Sequence, residues 1–296
     1  LMHRAGIAER LVRVAEAAFG RARGGLGQVN IGASMLFGSV SGSAVAGVSA
    51  VGSTMAPMML AKGYDRDFII NVSSTAAVTG LLIPPSHNMI IYAASAGEGV
   101  SVGDLFLAGV IPGILTGLAL MAAAYAVAVK RGYPRGEFPG WGALARASTA
   151  AAPGLLAALI IVIGILSGVF TPTESSAIAV AYTIAVALIV YRSLDAKAFA
   201  AAVVGSVRTT AMVMMIIGAA AVFGWLLAYL EGPQQLAAAL LAITENPIAL
   251  LLLINIVLLI LGTFMDMAAL IIITTPIFLP IVKALGIDPV HFGIIM

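Results

Sequence analysis

Runs of about twenty apolar residues recur along this chain with hardly a charge inside them, and that pattern admits few folds. A bilayer core of about 30 Å is crossed by roughly 20 helical residues. At that depth only helices and closed barrels satisfy every backbone polar group. The roughly ten-residue alternation of a membrane-spanning β-strand is missing. The chain is therefore read as an all-α integral membrane protein. Composition agrees, with 61% hydrophobic and 9% charged residues against roughly 25% charged in a soluble domain. With no cysteine, disulfides and thiolate metal sites are excluded. The three histidines, His3, His87 and His291, are too scattered to suggest a metal cluster. No lysine is followed by Ser or Thr, so there is no Walker A phosphate loop and no ATP hydrolysis is expected here.

Residues 5–22 have the pattern of an amphipathic helix, with Ile7, Leu11, Val14 and Ala18 on one face and Arg10, Arg13 and Arg21 elsewhere; it is expected at the membrane interface. An apolar stretch at 27–61 is interrupted by "SVSGSA" and suits a re-entrant hairpin. Spans are expected at 68–95, 104–129, 151–170, 174–191 and 207–230, followed by a second hairpin at 247–283 interrupted by "GTFMDM". Positively charged loops stay inside. If the 130–150 loop, with Lys130, Arg131, Arg135 and Arg146, is cytoplasmic, then "KGYDR" and "YRSLDAK" are too, and of 15 basic residues only Lys283 falls outside. The outer loops, 96–103 and 231–246, hold no Lys or Arg. Four segments follow: an interfacial helix (1–26), a first hairpin with a broken helix (27–103), connecting spans (104–230) and a second, incomplete hairpin segment (231–296).

The repeat is legible in particular residues. Gly38 pairs with Gly262, then Pro57 with Pro280, Gly63 with Gly286 and Asp65 with Asp288. Five spans lie between the two hairpins, so the second copy is expected to enter from the opposite side. Inverted repeats with interrupted helices point to a secondary transporter.

The strongest chemical feature is "TGLLIPPSHNMIIYA", 79–93. Pro84 and Pro85 have no N–H, so the carbonyls of Gly80 and Leu81 lose their helical partners. Ile83 and Pro84, each before a proline, are pushed out of the helical region. Unwound backbone at membrane depth persists only where protein buries it or a cavity is lined by it. An ion needing oxygen ligands would satisfy it; a proline kink repaired by neighbours is the plainer alternative. In "SGSA", Ser43 is placed to cap the second arm of the hairpin, which leaves Ser41 over. Asp266 stands at the corresponding tip, either capping the following arm or serving as a functional carboxylate within the membrane. Thr171, Pro172 and Glu174 form a capping-box pattern, and Ser101 and Asp104 a related one. His87 suits a buried hydrogen-bonding residue better than a proton relay.

Five segments carry a family resemblance: "LFGSVSGSAVAGVSAVGSTMAPMMLAKGY", "GLLIPPSHNMIIYA", "LFLAGVIPGI", "GVFTPTESSAIAVAY" and "GTFMDMAALIIITTPIFLPIVKALGIDPVHFG". From residue 24 onward the chain resembles the large membrane subunit of tripartite ATP-independent periplasmic (TRAP) transporters. The resemblance implies an elevator-type fold with two hairpins and broken helices, in a bacterial or archaeal inner membrane. It implies sodium-coupled uptake of an organic acid, such as a C4-dicarboxylate, sugar acid or sialic acid, with a periplasmic substrate-binding protein and a small membrane subunit as partners. Sodium ions are the coupling ions, no further cofactor is implied, and no nucleic-acid partner or enzymatic activity is expected. One implied sodium site comprises Ser41, Gly42, Ser43, Ile83, Pro84 and Ser86; a second surrounds Gly262 and Asp266. Ser43, Ala44, Pro85 and Asn88 are the implied substrate contacts. Within the first segment, Gly47 stands where many members have a polar residue. Members are also longer at both ends, so the chain is expected to be truncated, with a second proline-containing break near roughly 306–309 of the uncut gene. Two other readings fit some residues: a sodium-coupled carboxylate transporter needing no binding protein, and an intramembrane serine protease with Ser43 as nucleophile and His87 as base.

Overall fold

A computed structural model describes residues 7–136, 138–192, 194–232, 235 and 246–296, with 227 and 228 in backbone only. His3 and most of the 231–246 loop lie outside the described residues. Twelve helices make up the described chain: α1 (Ile7–Phe19), α2 (Gly25–Ser41), α3 (Ala44–Ala61), α4 (Arg66–Leu82), α5 (His87–Ala96), α6 (Val102–Lys130), α7 (Trp141–Leu166), α8 (Pro172–Val190), α9 (Ala196–Tyr229), α10 (Pro247–Gly262), α11 (Met267–Ala284) and α12 (Pro289–Ile295). The described residues contain no strand beyond a single bridge, Arg23 to Arg135. Among the described residues six helices are long and apolar enough to cross a membrane, and the broken pair α4–α5 would make a seventh. The helix ends follow local chemistry. Thr171 accepts from the Glu174 N–H while Glu174 accepts from the Thr171 N–H, the expected capping box at the start of α8. Ser101 accepts from the Asp104 N–H at the start of α6. Two helices run further than their apolar stretches: α7 starts at Trp141 rather than near 151, and α9 at Ala196 rather than near 207. The added turns are rich in alanine, the best helix former.

The described chain falls into two compact units, residues up to His87 with Gly109–Phe199, and Asn88–Ala108 with Ala200–Met296. In the first, α2 is the central element, packed against α1 and α4. The buried face of α1 comprises Ile7, Ala8, Leu11, Val12 and Ala15. Val14 is only partly buried and Ala18 is exposed, so the stripe is rotated from the one expected, and α2 and α7 cover it. Between α2 and α4 the register is parallel. The Asn30 side chain donates to Ser73 Oγ at 2.8 Å. Two turns on, Gly38 meets Gly80 so closely that a Cβ on either would collide with the other's Cα. Where lipid surrounds a protein, helix association rests on such close packing of small residues and on interhelical hydrogen bonds. Because α2 and α4 run the same way in this register, they end at the same level, at Ser41 and Leu82.

The repeat reappears as a shared grammar of elements. Both α3 and α11 have 18 residues, and α11 starts and ends 223 residues after α3, at 267 against 44 and at 284 against 61. Each holds its matched proline, Pro57 or Pro280. Each is followed by a glycine at positive φ, Gly63 at 78° or Gly286 at 72°. An aspartate then stands at the N-cap of the next helix, Asp65 before α4 or Asp288 before α12. The second unit packs α11 against both α10 and α12.

The Gly38–Gly80 approach should be intolerant of any side chain. Gly38→Ala is expected to lower stability by about 1–3 kcal/mol through overpacking. Gly47→Ala, whose Cβ would sit 3.4 Å from that of Ala77, should be near neutral. Thermal unfolding of both variants in detergent checks this; equal losses would contradict the close approach.

Candidate functional site

Two chain breaks meet at the common end of α2 and α4. The first is the turn Gly42–Ser43 between α2 and α3. Gly42 is buried in the left-handed region at φ 61°, and its N–H donates to the Gly38 carbonyl at 2.7 Å. A side chain at Gly42 would fall 3.0 Å from the His87 nitrogen, 3.1 Å from the Pro85 carbonyl oxygen and 3.3 Å from the Ser86 Cα. The second break, Ile83–Ser86, therefore lies directly against the tip. Ile83 is extended, at φ −85° and ψ 122°, as a residue before proline should be. The Pro84–Pro85 bond is cis.

Around this junction the polar groups are unevenly satisfied. Ser43 accepts from the Ala46 N–H at 3.4 Å, the expected cap of α3. Ser41 accepts from the Ser43 N–H at 3.4 Å and donates to the Ser43 carbonyl at 3.5 Å, both long. Ser86 is 0% exposed and its hydroxyl has no hydrogen-bond partner. Buried polar groups are almost always paired, so this hydroxyl is an anomaly. The carbonyl ends of α2 and α4, each equivalent to roughly half a negative charge, converge at the same place. Hydroxyls and carbonyls meeting at two helix C-termini, with no carboxylate among them, are suited to a small monovalent cation. The N-terminus of α3 starts there as well and offers N–H groups to an anion.

The candidate residues separate by unit. Ser41, Gly42, Ser43, Ala44, Ile83, Pro84, Pro85 and Ser86 belong to the first, and the junction brings the tip and the break together. Asn88, Gly262 and Asp266 belong to the second. Asn88 is buried; its Nδ2 lies 3.1 Å from the Met267 sulfur and its Oδ1 has no partner. Asn88 thus sits beside the second tip. Gly262 ends α10 and is exposed, unlike Gly38, which lies within α2. Asp266 is exposed and accepts from the Ala268 N–H at 3.1 Å, capping α11.

The model of the family described as "Tripartite ATP-independent periplasmic transporter, DctM component" matches residues 1–296. The chain belongs to this family. It is 45% identical to the C4-dicarboxylate TRAP transporter large permease protein DctM of Pseudomonas aeruginosa, over 98% of this chain and 68% of that protein. It is 40% identical to the sialic acid TRAP transporter large permease protein SiaM of Vibrio cholerae, over 99% of this chain and 68% of that protein. To the isethionate TRAP transporter permease protein DctMQ of Oleidesulfovibrio alaskensis it is 41% identical, over 98% of this chain and 46% of that longer protein. As a DctM-family chain it is a transporter permease of the inner membrane and not an enzyme, which removes the protease reading of Ser43 and His87.

Two groups of residues went unnoticed in the sequence. One is the polar ladder behind the junction: Asn30 bonds to Ser73, and Ser34 donates to Asn30 Oδ1 at 3.5 Å. Its signal was the four-residue spacing of Asn30, Ser34 and Gly38 along one helix face. The other lies at the opposite end of α4, in a loop outside the spans. Arg131 and Tyr133 both donate to Asp65 Oδ2 at 2.7 Å, and the Tyr133 ring packs on Tyr64 at 4.3 Å between centroids. These bonds, Tyr133 first, hold the Asp65 carboxyl below its ordinary pKa.

Ser86 offers a clear test of its burial. Removing an unpaired buried hydroxyl leaves nothing unsatisfied, so Ser86→Ala without sodium should be neutral or stabilising, by up to about 1 kcal/mol. Thermal unfolding in sodium-free buffer measures this. A loss above that size would mean that the hydroxyl has a partner within the protein.

Proposed function

We propose that the chain is the sodium-driven, substrate-carrying permease of a TRAP system, and that the junction of tip and break is one of its sodium sites. The observation behind this reading is the buried, unpartnered Ser86 hydroxyl at the meeting point of two helix C-termini. Sodium is hard, singly charged and met by oxygens; hydroxyls and carbonyls of Ser41, Gly42, Ser43, Ile83, Pro84 and Ser86 supply them without a carboxylate. The second site surrounds Gly262 and Asp266, where a carboxylate is present. Ser43, Ala44, Pro85 and Asn88 are the substrate contacts. The α2–α3 and α10–α11 pairs are the two re-entrant hairpins of an elevator-type transporter.

Being the DctM component of a tripartite system, the chain works with a periplasmic binding protein and a small membrane subunit. The relatives' names give C4-dicarboxylates, sialic acid and isethionate. Their shared chemistry is a small organic anion, carboxylate or sulfonate, and the N–H groups at the start of α3 suit such a group. Substrate enters with sodium: ion binding cancels the negative end of the helix dipoles, so the anion binds where it would otherwise be repelled.

Reconstituted with its partners, the permease should take up substrate only with sodium higher outside; equal uptake in potassium alone would refute sodium coupling. Asp266→Asn separates two roles of that residue, because Asn caps a helix as well as Asp does. If Asp266 neutralises a bound cation, the apparent sodium affinity of transport falls about tenfold, equivalent to about 1.4 kcal/mol. An unchanged sodium titration would leave Asp266 as a cap alone.

A further inference from the structure

The basic face of α1 is left over once its apolar face has been buried. On this face Arg10, Arg13 and Glu16 line a cavity of about 450 Å³, and Ala143, Arg146 and Ala147 of α7 form the opposite wall. Its volume is that of a small-molecule site, roughly 300–1,000 Å³. Three guanidinium groups face one carboxylate, so the cavity is strongly positive. Two of the three are held in place. Arg10 lies over the Tyr191 ring at 4.0 Å and reaches the Ala150 carbonyl at a long 3.5 Å, and Arg146 Nε donates to the Gly142 carbonyl at 3.2 Å. Each guanidinium has five N–H donors, so both retain donors for a ligand.

The depth of the cavity identifies the ligand. The apolar run of α7 begins near Ala151, and its earlier residues, Trp141–Ala150, include Arg146, Ser148 and Thr149. From Ala151 to its end at Leu166, α7 spans about 24 Å at ~1.5 Å per residue, most of a hydrocarbon core of about 30 Å. Arg146 and the residues before it therefore lie at the level of the headgroups. Trp141, 78% exposed and 5.4 Å from the Phe138 ring, sits one turn away. Exposed tryptophans mark that interface. The positively charged loops also place this end of α7 on the cytoplasmic side, where anionic lipids attract basic clusters.

We propose that the Arg10–Arg13–Arg146 cavity is a binding site for the phosphate of an anionic phospholipid headgroup. The lipid holds α1 and the start of α7 against the cytoplasmic leaflet. The covered apolar face of α1 means that this anchoring runs through arginine–phosphate contacts rather than through insertion of the helix.

Native mass spectrometry of the purified protein tests this, with dioleoylphosphatidylglycerol or dioleoylphosphatidylcholine added to neutral detergent. Thermal unfolding with each lipid, or with inorganic phosphate alone, is the second readout. The wild type should retain phosphatidylglycerol selectively and be stabilised by it, whereas phosphate alone should have little effect. Arg13→Gln with Arg146→Gln should weaken retention roughly tenfold, and Glu16→Gln, which removes the opposing charge, should strengthen it. Equal retention of the two lipids, or retention indifferent to both the arginine and the glutamate changes, would overturn the proposal. So would a phosphate-only shift matching that of the lipid, which would mark a free-anion site. Should the double variant fail to fold, Glu16→Gln decides by its sign.

Discussion

The candidate site depends on the parallel contact of α2 and α4 across Gly38 and Gly80. Nothing else in the first unit puts two helix C-termini, a glycine turn and a double-proline break at one level. The contact is steric first, because neither glycine has room for a Cβ. The Asn30–Ser73 hydrogen bond then holds the register one end back. A shift of α4 by a single residue would turn Ser73 and Gly80 away from Asn30 and Gly38 and carry Ser86 away from Gly42. The bare oxygens of the junction are therefore a consequence of helix packing about one turn away.

Much of this was legible in the sequence, for physical reasons that differ from residue to residue. Twenty-residue apolar runs made an all-helical membrane protein the only economical fold. Pro84 and Pro85 announced the break because a missing N–H cannot be replaced, and the capping box at Thr171–Glu174 announced a helix start by hydrogen-bond chemistry. The correspondence of Pro57, Gly63 and Asp65 with Pro280, Gly286 and Asp288 became a correspondence of helix interior, left-handed turn and N-cap. What stayed hidden was relational. No spacing rule told that Gly38 would face Gly80, or that Ser86, among several hydroxyls, would be the one without a partner. The face of α1 was misjudged for a similar reason: the buried stripe runs through Ala8, Val12 and Ala15, and hydrophobicity alone could not choose Val12 over Val14.

The two tips differ in kind. The first is buried at Gly42 and half-buried at Ser41 and Ser43, has no carboxylate and is built from hydroxyls and carbonyls pressed against a break. The second is exposed and carries Asp266 as the cap of α11. On the proposed reading these are two unequal positions for coupling ions, and the charged one should respond more strongly to substitution. The basic end of the first unit, where Asp65 is clasped by Arg131 and Tyr133 and the α1 arginines line their cavity, is separate from the junction in that unit.

Equilibrium binding of radioactive sodium to the purified protein, without substrate, tests the junction most directly. Wild-type protein should bind sodium saturably. Ser86→Ala should weaken that binding, and so should Gly42→Ala, which places a methyl group between the tip and the Pro85 carbonyl. Sodium binding of wild-type strength in both variants would contradict a sodium site at the junction of tip and break.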